Sequence, residues 1–139
     1  MLDGWVERNR DGLILLARIL LMVLFVVSGW GKLSDFQSTV GYMASLHAPL
    51  PQVAAGVAVC MEFLVGIALL LGIQVRLLAL LLALFVLGTG VLGHAFWGME
   101  GAARAMNMTQ FLKNLSIAGG LLLLAVTGGG RYAVAGRPR

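Results

Sequence analysis

Charge is what this sequence has least of: 12% of its 139 residues are Asp, Glu, Lys or Arg, where a soluble domain carries about 25%. So little polar surface cannot coat a water-soluble core, which excludes an ordinary soluble protein. Cysteine is nearly absent. The single Cys60 excludes an intrachain disulfide and a CxxC dithiol shuttle carried by one chain, and it reads as a packing residue. The two histidines are His47, in a loop beside Pro49, and His94; they leave no haem, flavin or metal motif, because haem and zinc or iron sites call for more ligands. Acidic residues are also few, six against ten Lys and Arg, for a net charge of +4. In a soluble protein that excess would suggest nucleic acid. Here the cations flank apolar runs near the ends, a pattern of membrane orientation, and no nucleic-acid partner is expected.

What is present is hydrophobicity, 60% of all residues, gathered in four runs at about 13–30, 50–72, 75–96 and 111–127. A helix rising about 1.5 Å per residue needs about 20 apolar residues to cross a hydrocarbon layer of about 30 Å. Each run has that length, and none alternates as a barrel strand would. The chain is therefore expected to be one all-α domain over 1–139, an integral membrane four-helix bundle. Arg8 and Arg10 precede the first run as they would a signal peptide. The run, however, contains Arg18 and ends in Ser28-Gly29-Trp30-Gly31-Lys32 without an A-x-A-like site, so it is expected to be retained.

The connections refine this picture. Gly72-Ile73-Gln74-Val75-Arg76 permits only a tight helical hairpin. Leu33 to Pro49 is long enough for a short amphipathic helix at the interface, and Gly98 to Thr109 is of similar length. With four crossings both ends share a side, which collects Arg8, Arg10, Arg76, Arg131, Arg137 and Arg139, against Lys32, Arg104 and Lys113 opposite. The positive-inside rule then places both termini in the cytoplasm, the two longer loops outside, and the protein in a bacterial-type cytoplasmic (inner) membrane. Trp5, Trp30, Trp97 and Tyr132 suit interface anchors.

Two motifs match in letters only. Gly88-Thr89-Gly90-Val91-Leu92-Gly93 has the spacing of a dinucleotide fingerprint but lies inside an apolar helix with no strand before it, where small residues serve helix packing. Asn107-Met108-Thr109 has the form of a glycosylation acceptor, a triplet that arises easily by chance.

Glu62 is the costliest residue, about 16 Å from the start of its helix and so near the midplane, where a charge must face protein or water. Ala55, Ala58, Val59 and Gly66 share its small-residue face. Arg18, Met22, Phe25, Gly29 and Lys32 form one stripe of the first helix. Arg18 is the expected partner of Glu62 in a structural ion pair, their levels differing by about 8 Å, which two extended side chains nearly bridge; the alternative is that Arg18 snorkels inward. The outer halves add Ser28, Lys32, His94, Trp97, Gln110, Lys113 and Asn114. Singly these are ordinary interfacial residues. Converging, they would line a polar cavity between Phe25, Trp30, Phe96 and Phe111 that leads toward Glu62. Such a cavity suits a quinone: donors for two carbonyl oxygens, an apolar slot, and Glu62 as candidate proton carrier.

In order, Ala17-Arg18-Ile19-Leu20, Ser28-Gly29-Trp30-Gly31-Lys32-Leu33, Tyr42-Met43, Glu62 with Gly66 and Gly72, Arg76, His94-Ala95-Phe96-Trp97, Gln110-Phe111-Leu112-Lys113-Asn114 and Gly130-Arg131-Tyr132 resemble the DoxX family over nearly the whole chain. The resemblance implies a small four-helix inner-membrane protein. Some relatives are subunits of thiosulfate:quinone oxidoreductase, and others associate with superoxide dismutase and a sulfurtransferase. Arg18, Lys32, Glu62, His94, Gln110, Lys113 and Asn114 occupy the family's recurring polar positions.

Two readings follow. In the first, the chain is a redox-associated subunit that binds a quinone or similar amphiphile in an outer-half cavity while a partner supplies electrons. In the second, it is a non-catalytic accessory or assembly subunit docked on a larger respiratory or oxidoreductase complex, with membrane lipids around it. A small transporter ranks third, because no helix is interrupted in sequence and no repeat is clear.

Overall fold

The computed structural model describes residues 1–134. Arg137 and Arg139, counted above among the cations of the terminal side, lie outside the described residues.

Four helical rods long and apolar enough to cross a bilayer make up the bundle, with no sheet among the described residues. The first rod is α1 (Leu2–Ser34); an interfacial helix, α2 (Phe36–Ser45), follows. The second rod consists of α3 (Pro51–Val59), a π-helical turn (Cys60–Leu64) and α4 (Val65–Leu71). Then come α5 (Val75–Gly93), a 3-10 turn (Phe96–Gly98) and α6 (Gly101–Thr127). Helices α5 and α6 form the most extensive pair, and α1 closes the ring between α6 and the α3–α4 rod.

Both outer rods are longer than their apolar runs, because helix continues into polar sequence beyond the hydrocarbon. α1 starts eleven residues before the run at 13–30, and α6 starts ten before the run at 111–127. The connection expected from Gly98 to Thr109 is therefore mostly helix, and α2 is the one separate interfacial helix. Asp35 caps α2, its carboxylate accepting the Ser38 N–H at 3.2 Å and the Ser38 hydroxyl at 2.7 Å. The hairpin forms as expected. Gly72 adopts φ +85°, a left-handed conformation that glycine takes without steric cost, and Val75 starts the next helix three residues on.

The core follows the periodicities. Ile14, Arg18, Met22, Phe25 and Gly29 are the buried stripe of α1, and Ala55, Ala58, Val59 and Gly66 are buried on the second rod. Met22, Leu69, Leu82 and Leu121 at the centre have no exposed surface. Lipid is as apolar as these side chains, so close packing rather than expulsion of water holds the rods together.

On the side carrying the termini, Arg18 organises the closure. Its guanidinium donates to the carbonyls of Gly129 (2.6 Å), Leu70 (3.2 Å) and Tyr132 (3.2 Å). Leu70 is among the last carbonyls of α4, which have no partner within the helix. Asp11 accepts the Arg131 N–H at 3.0 Å, and the Val134 N–H donates to Leu71 at 3.0 Å. Residues 128–134 are thus laced across this end of the bundle.

Candidate functional site

Ser28 and Lys32 lie one turn apart on α1, on the side opposite the termini, and both face the π-turn. Gly29 beside them makes the approach possible: a Cβ there would come within 2.5 Å of the Phe63 backbone nitrogen. In the π-turn the Val65 N–H reaches back five residues to the Cys60 carbonyl, so one extra residue is held in the turn that presents Glu62. The Lys32 ammonium stands 2.7 Å from Glu62 Oε2. It also donates to the Ser28 hydroxyl at 2.7 Å, and that hydroxyl donates to the same Oε2 at 2.7 Å.

The resulting triad is closed on one edge and open on the other. Both bonds to Glu62 fall on Oε2, and among the described residues Oε1 accepts none. Lys32 uses two of its three N–H groups. The two side chains keep 25% and 13% of their surface exposed, so an acceptor-donor pair is within reach of a ligand. Behind them the Thr39 hydroxyl, which is buried, donates to the Lys32 and Asp35 carbonyls at 3.1 Å each, fastening α2 to the end of α1. Trp30 and Phe63 pack at 5.7 Å, joining the same two elements beside Gly29.

The expected Arg18–Glu62 pair does not form. Arg18 is committed to three carbonyls at the opposite end, and Glu62 is paired with Lys32. Glu62 also lies nearer the loop side than its count from Pro51 suggests. The adjoining Phe63 meets Gly29, only five residues from the end of α1, while the start of the second rod is packed by α2. Cys60 is exposed and does not pack in the core.

The other polar residues form a separate group between α5 and α6. His94 Nδ1 is 3.1 Å from Asn107 Oδ1, and the Asn114 amide donates to the Val86 carbonyl at 3.1 Å, stitching the pair together. Phe96, Trp97 and Phe111 form an edge-to-face cluster with ring centroids 5.5–6.0 Å apart, and the Arg104 guanidinium lies 5.6 Å from the Phe96 ring centre. Gln110 is half-buried, with no side-chain hydrogen bond among the described residues. Lys113 faces outward with Thr109 and Ser116 along a shallow depression of about 380 Å³ on α6. No hydrogen bond or aromatic contact joins this group to the triad among the described residues. Nor do any three His, Cys, Asp or Glu side chains gather there as metal ligands.

Sequence reasoning placed Lys32 on the right stripe but passed over it as the partner of Glu62. It also missed Tyr42, whose hydroxyl reaches the end of α5 and would lie 3.4 Å from a Cβ on Gly93. The amphipathic character of the 33–49 connection was the available signal for such a contact.

These features define a multi-pass integral membrane protein, a four-helix bundle with one embedded ion pair opening toward its loop side. The family model described as DoxX matches residues 13–95, more than half of the chain, and the chain belongs to the DoxX family. It is 47% identical over 125 residues to the inner membrane protein YphA of Escherichia coli (strain K12), covering 90% of this chain and 89% of that protein. It is 40% identical over 132 residues to the inner membrane protein YqjF of the same strain, covering 93% of this chain and 94% of that protein. No solved structure matches the chain.

Proposed function

We propose that this protein is a redox-associated inner-membrane subunit whose Ser28–Lys32–Glu62 triad binds a quinone or similar amphiphile, with a partner oxidoreductase supplying the electrons. The carrying observation is the open edge of the triad: a free Lys32 N–H beside an unengaged Glu62 Oε1. A quinone carbonyl oxygen accepts from the first, and the hydroxyl of the quinol donates to the second. Reduction consumes two electrons and two protons per quinone. The electrons come from the partner, and Glu62 relays protons from the loop side, where Lys32 keeps the site in contact with the interface. With both termini cytoplasmic, as the positive-inside rule has it, the triad faces the outer half of the membrane.

The ligand set differs from a single cavity in which His94, Trp97, Gln110, Lys113 and Asn114 all contact the quinone. His94 and Asn114 are engaged with α6 and α5 respectively, and the aromatic cluster packs on itself. This reading gives those residues the role of holding the α5–α6 pair beside the site. One observation favours a docking role in addition: Lys113, Thr109 and Ser116 present a polar strip outward on α6, a surface suited to a membrane partner.

The test is organic extraction of the protein purified in mild detergent. Quinone recovered near one per chain, lost in Glu62→Gln and Lys32→Met and kept in Lys113→Met, supports the triad as the site. Absence of quinone together with a reproducible larger copurifying protein supports the accessory subunit instead.

A further inference from the structure

A groove remote from the triad runs along the lipid-facing surface of the bundle. It holds about 500 Å³ between α1 and α6 on the terminal side. Leu13, Ala17 and Leu21 of α1 face Gly120 and Leu124 of α6 across it, with Arg10 and Thr127 among its lining residues near the terminal end. Its deep end is closed where Gly120 meets Leu21: a Cβ on that glycine would lie 3.2 Å from the leucine methyl.

Two features say what fills it. The first is length: inward from Arg10, with Val6 lining the groove one turn further out, Leu21 lies eleven residues of helix away, about 16 Å, which is the hydrocarbon depth of one leaflet of a bilayer about 30 Å thick. The second is charge. Lys32–Glu62 is the one ion pair among the described residues, so Arg10 pairs with no described carboxylate, Glu7 one turn before it included. Of the acidic groups on the same stretch, Asp11 is turned to the Arg131 N–H. An apolar slot one leaflet deep, with an unpaired guanidinium toward its open end, matches an acyl chain whose headgroup is anionic.

We propose that the α1–α6 groove is a binding site for an anionic phospholipid of the terminal-side leaflet, the acyl chain lying between Ala17 and Gly120 and the headgroup phosphate meeting Arg10. It is independent of the triad. Native mass spectrometry of the full chain, exchanged into mixtures of phosphatidylglycerol and phosphatidylcholine with identical acyl chains, tests it directly. One cation at an anionic headgroup is expected to favour phosphatidylglycerol about fivefold. Arg10→Gln should erase that preference while lipid is still retained. Ala17→Phe and Leu20→Trp, at exposed groove positions outside the core, should lower retention of both lipids. Leu84→Phe, on the lipid-facing side of α5, should change neither. Equal retention of the two lipids by the native protein, a preference that survives Arg10→Gln, or undiminished retention in both groove-filling variants would overturn the proposal.

Discussion

Two cations lie on one stripe of α1, and their surroundings are opposites. Arg18 is 1% exposed and bonded to three backbone carbonyls. Lys32 is partly exposed and bonded to a carboxylate and a hydroxyl. Carbonyls cannot change their protonation, so the Arg18 end of the bundle has one state and is a fastening. At the Lys32 end both bonds to the carboxylate fall on Oε2, which leaves an edge free for a ligand. The planar guanidinium suits the first task because it forks toward acceptors on separate segments, whereas the compact ammonium suits the second. Membrane-embedded charge thus serves structure at one end of the helix and, in our reading, chemistry at the other.

The sharpest way to break this contrast is at Arg18. Arg18→Met removes three charge-assisted, partly buried hydrogen bonds to carbonyls, each bond being worth about 1.5–3 kcal/mol. The expected loss of stability is at least about 3 kcal/mol, read as a fall in the midpoint of unfolding in mixed micelles. Arg18→Lys should recover only part of it, since one ammonium cannot span the carbonyls of Leu70, Gly129 and Tyr132. Full recovery by lysine would show that charge alone, not the fork, fastens this end.

A smaller effect is expected at the triad, whose charged side chains keep part of their surface exposed. Lys32→Met and Glu62→Gln should each destabilise by about 1–2 kcal/mol, and the double variant by less than their sum, because the pair is coupled. Simple additivity in that cycle would mean that the 2.7 Å contact contributes nothing.

The smallest effect belongs to the exposed cap of α2. The Ser38 hydroxyl, and after it the Ser38 N–H, holds the Asp35 carboxyl below its usual range. The capping contribution is therefore complete above the ordinary carboxylate range and is lost as pH falls through the lowered value. Protection of the α2 amides, taken relative to their intrinsic exchange at each pH, should fall only in that acidic interval, and in Asp35→Ala it should already be low at neutral pH. Protection that stays constant through that interval in the native protein would show that Asp35 does not cap α2.

Much of the fold was legible because the bilayer is a demanding solvent: only helices and closed barrels satisfy their backbone in it, and a helix needs an uninterrupted apolar run of about 20 residues. The ends of α1 and α6 were not legible, since outside the hydrocarbon layer residues such as Asn107 and Thr109 carry no hydropathy signal while remaining helical. The stripe through Arg18 and Lys32 and the small-residue face of Glu62 were readable from periodicity. The choice between the two cations was not. It depends on the register fixed by the Gly29–Phe63 contact and on the π-turn, neither of which is encoded as a side-chain pattern. Arg18 was harder still, because its acceptors are main-chain carbonyls of Leu70, Gly129 and Tyr132, invisible in the identity of those residues. The outward turn of Lys113 was available in principle. Asn114, Ala118 and Leu121 define the inward face of α6, and Lys113 falls about 100° away from Asn114.

In the proposed function the triad, and not the His94 group, receives the quinone. Trp30 packs on Phe63, the residue after Glu62, and Trp97 belongs to the aromatic cluster, so the two regions carry their own reporters. The direct measurement is tryptophan fluorescence during titration with a short-chain quinone, in one variant that keeps only Trp30 and another that keeps only Trp97, the remaining tryptophans being replaced by Phe. Saturable quenching of Trp30 that disappears with Glu62→Gln, alongside non-saturating quenching of Trp97, is the expected result. Saturable quenching confined to Trp97, or Trp30 quenching indifferent to Glu62→Gln, would contradict it.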